Sequence, residues 1–133
     1  MHAAAHIIAA EQYFRDNIRQ ALKGPVLPAA QQGDAGDSVI SKFIRDRWTR
    51  FQAPTALEPT GKVTPKAQAI ADFEATRANT LEYVRTTQDA LRERGGGTPP
   101  TSAYQLVLVL SGHTERHTAQ LLEVKVAPGY PKN

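Results

Sequence analysis

Residues 101–126, TSAYQLVLVLSGHTERHTAQLLEVKV, decide how the chain is read. The run LVLVL alternates apolar and β-branched residues and, taken alone, suits a strand. The longer pattern overrides it. Leu106, Leu110, His113, His117, Leu121 and Val124 recur at intervals of three and four, which is one continuous stripe of a helix. Pro128-Gly129 then stops the helix. Two histidines stand in the middle of this apolar stripe rather than at its polar edge. A stripe that carries two histidines inward predicts a bundle helix whose imidazoles need partners in the core.

Working outward, the preceding segment is read the same way. Gly95-Gly96-Gly97 and Pro99-Pro100 separate the last helix from an earlier one. Thr64-Pro65 reads as the cap and first position of that earlier helix, which is expected to run to about Arg94. Its inner face is assigned to Ile70, Phe73, Arg77, Leu81, Val84, Gln88 and Leu91. Pro54, Pro59 and Gly61 make the loop before it. A short amphipathic helix is expected over about residues 38–51, capped by Asp37 or Ser38. Its apolar side is Val39, Ile40, Phe43, Ile44, Trp48 and Phe51. Residues 24–37 are a loop by their Gly, Pro and Asp content. Residues 1–23 are rich in helix formers and free of Gly and Pro, with Ala3, Ile7, Ala10, Phe14 and Ala21 on one stripe. The predicted architecture is all-α, with three long helices and one short one.

The bounds agree. A chain of 133 residues is one domain's worth. It has no cysteine, which excludes disulfides, thiolate ligands and a cysteine nucleophile. The net charge of +3 is small, and the basic residues are dispersed, with loose groups at Arg45, Arg47 and Arg50 and at Arg92 and Arg94. They read as solvated helix faces, so no nucleic-acid partner is expected. The longest apolar run, Leu106 to Leu110, is far too short to span a bilayer, and the N-terminal stretch has no basic leader followed by an apolar core. The expectation is a cytoplasmic protein without a membrane partner.

The four histidines fall in two pairs, His2 with His6 and His113 with His117. Side chains four apart on a helix lie one turn apart on one face and can point at a shared centre. Two readings satisfy the inward-facing pair at 113 and 117. It ligates a metal, with other groups accepting the outer ring N–H, or it is a hydrogen-bonded pair in the core. The spacing HTERH is not the zincin motif, because Glu115 lies about 200° round the helix from His113. Glu115 is therefore expected to be a solvated carboxylate. Gln120, three residues after His117, is a candidate for orienting a ligand or a water. His6 flanks the stripe of the first helix and is the candidate third ligand, whereas His2 is expected to fray into solvent.

The segments AHIIAAEQYFRDNIRQAL, APTALEPTGK, FEATRANTLEYV and SGHTERHTAQLLEVKVAPGYP together make the chain resemble the DinB-like family of metal-dependent helical bundles. The resemblance spans nearly the whole sequence, and HTERHTAQ is its most specific part. It implies an up-down DinB-like bundle in a single domain and a divalent metal held by His6, His113 and His117. It also implies a reaction class, transfer of a small-molecule thiol to an electrophile, alongside many members of no known activity. All-imidazole ligation suits Zn, Ni, Fe or Cu alike. The reaction expected is thiol S-transfer or hydrolysis, with a non-catalytic metal-binding or structural bundle as the alternative. Family members have one helix before the histidine-bearing one, and the sequence starts almost at His6. The expectation is accordingly a bundle without that first helix, with Phe14 and Ile18 among the uncovered residues and a homodimer closing the groove.

Overall fold

The computed structural model describes residues 2–58, 64–97 and 100–131. It is an all-α bundle of four helices: α1 (His2–Lys23), α2 (Asp37–Arg45), α3 (Lys66–Thr86) and α4 (Ala103–Val126). Short 3-10 turns at Ala29–Gln31 and Thr55–Leu57 sit in the connections. A two-residue antiparallel pairing of β1 (Gly95–Gly96) with β2 (Thr101–Ser102) leads into α4. The LVLVL run is helical, as the stripe requires.

The long helices pack α1 against both α3 and α4, while α2 lies on α4. On α1 the buried apolar positions are Ile7, Ala10, Ile18 and Ala21, the spacing of a core face, and Glu11 is buried beside them in an ion pair with Arg77 of α3. They meet Ala103 and Leu110 of α4, with Phe14, Leu22, Tyr83, Leu91, Leu106 and Val107 packed around them. Ile18, expected to be uncovered, is therefore in the core, and Phe14 is half-buried. The start of α4 is fixed by a capping box: Ser102 accepts from the Gln105 backbone and Gln105 reaches back to the Ser102 N–H.

Two boundaries and one face differ from the sequence reading. The third helix ends at Thr86, not near Arg94, because residues 87–94 turn back to meet the start of α4. There Tyr104 N–H donates to Leu91 and Ala103 N–H to Arg94. The short helix ends at Arg45, where Asp46 turns its carboxylate back onto the N–H groups of Trp48 and Thr49. Trp48, assigned to an apolar face, is thus 94% exposed. The inner stripe given to α3 is only partly inner: Ile70, Leu81 and Val84 are exposed, and Ala69 and Thr80 are buried instead. The expected turn at Pro59 and Gly61, and Pro99, lie outside the described residues, as do the side chains of His2 and Ala3.

Three close approaches at glycines hold the bundle together. A Cβ at Gly24 would stand 2.2 Å from the carbonyl oxygen of Gly95, and one at Gly95 would stand 2.3 Å from that of Thr101. Glycine lets three chain segments meet there, joined by a bridge between Val26 and Arg94 and by Leu27 N–H donating to Glu93. At the other end a Cβ on Gly112 would stand 2.1 Å from Ile44 Cγ2, so Gly112 is what lets α2 lie against α4. Two exposed ion pairs flank that contact, Arg45 with Glu115 and Arg47 with Glu123. Glu115 is therefore paired rather than simply solvated, and two of the three dispersed arginines of residues 45–50 are spent on α4. Among the described residues no helix is long and apolar enough to cross a membrane.

Candidate metal centre

The structure brings His6 of α1 to His113 and His117 of α4. One ring nitrogen from each lies within 4.8 Å of the other two, and all three side chains are half-buried. The ring centroids are 4.4 Å apart for His113 and His117, 4.8 Å for His6 and His117, and 5.4 Å for His6 and His113. Spacing explains the α4 pair. His6 arrives because Ile7 and Ala10 bury the adjacent face of α1 against the bundle, which leaves position 6 at the seam.

Hydrogen bonds set two of the three rings. His6 Nδ1 is 3.0 Å from the carbonyl oxygen of Leu57, which can only accept, so Nδ1 carries the proton and the other ring nitrogen is left with its lone pair. His117 Nδ1 likewise donates to Gln120 Oε1 at 2.9 Å. Its Nε2 then faces His113 Nε2 across 3.2 Å. Two nitrogens bound at about 2.0–2.1 Å to one ion stand about 3 Å apart, so this pair is already at ligating distance. A movement of His6 by about 1–2 Å closes the set. Outer N–H groups held by a carbonyl and an amide are the supporting arrangement that metal-bound imidazoles use. The donor set fits a borderline divalent ion.

The surroundings favour the neutral form of the two α4 rings. Burial, then the neighbouring His117 and His6 and the Arg116 guanidinium, pushes His113 down to about 4. Burial also lowers His117, and Gln120 opposes the shift by accepting from its ring. Neutral imidazole is the form that ligates.

A cavity of about 520 Å³ opens beside the histidines. Its walls are mainly apolar, with Phe14, Ile44, Phe51, Pro54 and Leu57, and the polar groups Tyr13, Asn17, Gln52 and Arg116 face it. Phe14 meets the His113 ring edge-on at 5.3 Å between centroids. No carboxylate among the described residues lines this space.

Sequence reading found the three histidines and Gln120. It missed the Leu57 carbonyl, which only the path of residues 46–57 across the site can deliver, and it missed Arg116. The signal for Arg116 was present in HTERH: it follows His113 by three and so shares that face.

The family model described as the DinB superfamily matches residues 2–121 of the chain, a span that contains all three histidines. Neither the search of curated proteins nor that of solved structures found a match.

Proposed function

The chain belongs to the DinB superfamily, and from that premise we propose that it is a divalent-metal-binding protein whose three-histidine site carries out a thiol S-transfer or a hydrolysis. The observation that carries this reading is the coincidence of the histidine cluster with a ligand-sized cavity. Sites that bind small molecules are mostly apolar clefts of about 300–1,000 Å³ with a few placed polar groups, and this cavity has that make-up. A metal held only for structure is normally closed off by a fourth protein ligand. Here three protein nitrogens face open space, which supports catalysis over a purely structural role.

A bound divalent ion supplies Lewis-acid activation, lowering the pKa of a water or thiol that it holds. The chain's own groups do the rest. Leu57 and Gln120 fix the tautomers of His6 and His117. Phe14, Phe51 and Leu57 exclude bulk water from one side of the cluster. Since the chain has no cysteine, a thiol comes from a cosubstrate, with an electrophile as its acceptor. Zn, Ni, Fe and Cu all suit the donors. The exposed apolar residues Ile70, Leu81 and Val84 of α3 and Leu121 and Val124 of α4 support pairing of two copies, which sedimentation at low concentration checks.

The deciding experiment is elemental analysis of protein purified without an affinity tag. One ion per chain is expected, lost in His113→Ala and His117→Ala and weakened in His6→Ala. Full occupancy in all three variants would sink the reading.

A further inference from the structure

Arg116 lies on α4 between the two histidines, and its guanidinium lines their cavity. The residue is 9% exposed. Nη2 donates to the carbonyl oxygen of Thr49, and the guanidinium carbon sits 4.8 Å from the centre of the Phe51 ring. Nη1 is buried and has no protein acceptor.

The neighbouring carboxylates are committed elsewhere. Glu123 accepts two hydrogen bonds from Arg47, at 2.8 and 3.0 Å. Glu115 accepts two from Arg45. Asp46 accepts from Thr49 and from the backbone of Trp48 and Thr49. Among the described residues no carboxylate forms an ion pair with Arg116. An arginine cannot shed its charge by losing a proton at any ordinary pH. Asp46 and Glu123 are near enough to feel the charge of Arg116, but neither hydrogen-bonds it, so the fold withdraws a full positive charge from water and leaves Nη1 without an acceptor, an arrangement that is costly by itself. The space beside it is the cavity, whose apolar walls strengthen any charge interaction made inside.

We infer that Arg116 is the anchor for an anionic ligand: the small molecule that enters this cavity carries a carboxylate that pairs with the Arg116 guanidinium while its other end lies at the three histidines. The inference rests on the cavity being the substrate site. It selects a singly charged carboxylate over a phosphate dianion. One guanidinium with one nitrogen uncommitted offers one charge, and no second arginine or lysine among the described residues lines the cavity. Together the two ends specify a short bifunctional molecule, with a metal-ligating group at one end and a carboxylate at the other.

The test compares ligands that differ only in that charge. Full-length, zinc-loaded protein is titrated calorimetrically with 3-mercaptopropionate and with 3-mercapto-1-propanol. In parallel, metal-free protein is titrated with propionate and with 1-propanol, followed by the NMR signals of the Phe51 ring and the imidazoles. A charge-assisted hydrogen bond in a desolvated site predicts a preference of about tenfold or more for the carboxylate in both arms. Arg116→Gln should collapse that preference to about twofold or less, and Arg116→Lys should keep part of it. Equal binding of the paired ligands to wild type overturns the proposal, as does a preference that survives Arg116→Gln. The wild-type comparison needs no variant, so poor folding of Arg116→Gln does not rescue the idea. A chain that takes up no zinc would defeat the metal reading, while the propionate arm still decides the role of Arg116.

Discussion

The two ends of the bundle are built on opposite rules. At the glycine end, residues 24–27, 91–96 and 101–104 meet backbone to backbone. Leu27, Gly95, Ala103 and Tyr104 all donate their N–H groups to neighbouring strands or turns. The side chains there are apolar or paired, as where Arg92 stacks on Tyr104 at 3.7 Å and reaches Asp37. At the histidine end His113 and His117 hydrogen-bond each other through their Nε2 atoms at 3.2 Å, and a buried guanidinium nitrogen without an acceptor stands beside the cavity that the histidines line. The glycine end has a cavity of its own, of about 540 Å³, and a buried Asp37 Oδ1 without a partner, but its segments are joined by backbone hydrogen bonds; the histidine end instead gathers three imidazoles and a buried guanidinium. The two ends are about half the length of α4 apart, roughly 15–21 Å at 1.5 Å per residue.

That separation can be attacked from both sides. The largest effect should come from His117→Ala. It removes a ligating nitrogen while leaving the glycine end untouched, so metal-dependent stabilisation should vanish in thermal melts with and without excess zinc. The melting point of the metal-free protein should change much less. A fall in metal-free stability as large as the loss of metal stabilisation would show that the histidines are core residues first. The converse substitution is Gly95→Ala. Its Cβ collides with the backbone of Thr101, not with a movable side chain, and overpacking of this kind costs about 1–3 kcal/mol or more. Denaturant titration should show that loss, with metal stoichiometry intact in the folded fraction.

Gly112→Ala sits between the two regimes. The added methyl collides with Ile44, so α2 must lift from α4. A cost of about 1–3 kcal/mol is expected, and here it should also loosen the cavity wall that Ile44 forms. Pairing the change with Ile44→Val should recover part of the loss, since the clash is with that side chain. Gln120→Ala is milder: it removes the acceptor that orients His117, and such supporting groups are worth about 10- to 100-fold in metal affinity. Affinity unchanged by Gln120→Ala would mean that the His117 ring is set by α4 alone.

The sequence made the long helices and the histidine cluster readable for a common reason. Both rest on spacing along one helix, and spacing is a local property. His113 and His117 share a face whatever the rest of the chain does, and His6 needed only the core stripe of α1 beside it. What stayed hidden depends on contacts between distant segments. Gly95 reads as a helix stop, and only the fold shows it as the point where three segments touch. Gly112 looks like a weak spot in a helix until Ile44 is laid on it. Residues 87–94 continue the apolar period of α3, but backbone contacts to Ala103 and Tyr104 turn them away. The α3 stripe misled because a period alone marks a face and cannot tell which part of that face a neighbour covers. Arg116 was legible as a position and illegible as a problem, since its lack of a hydrogen-bonded carboxylate appears only once Arg45 and Arg47 have claimed Glu115 and Glu123.

The smallest effect is the most diagnostic of the histidine end. In the metal-free protein His113 should titrate near 4 and His117 below the ordinary histidine range. For His113 the largest cause is burial, followed by the charges of His117, His6 and Arg116. Between the unfolded value of about 6.5 and the folded value near 4, the unfolded chain binds more protons than the folded one. Metal-free stability should therefore fall as the pH drops from about 6.5 towards 4 and level off below that. Metal affinity should hold at neutral pH and weaken as the same rings protonate, because only the neutral imidazole ligates. NMR titration of the imidazole signals reads the midpoints directly. Arg116→Gln should raise the His113 midpoint slightly, since the guanidinium is the smallest of the named causes, whereas a substitution at the glycine end should not move it. A His113 midpoint near 6.5 in the metal-free protein would show the cluster to be open to water, and the contrast between an end joined by its backbone and an end that buries titratable groups would fail at its most sensitive point.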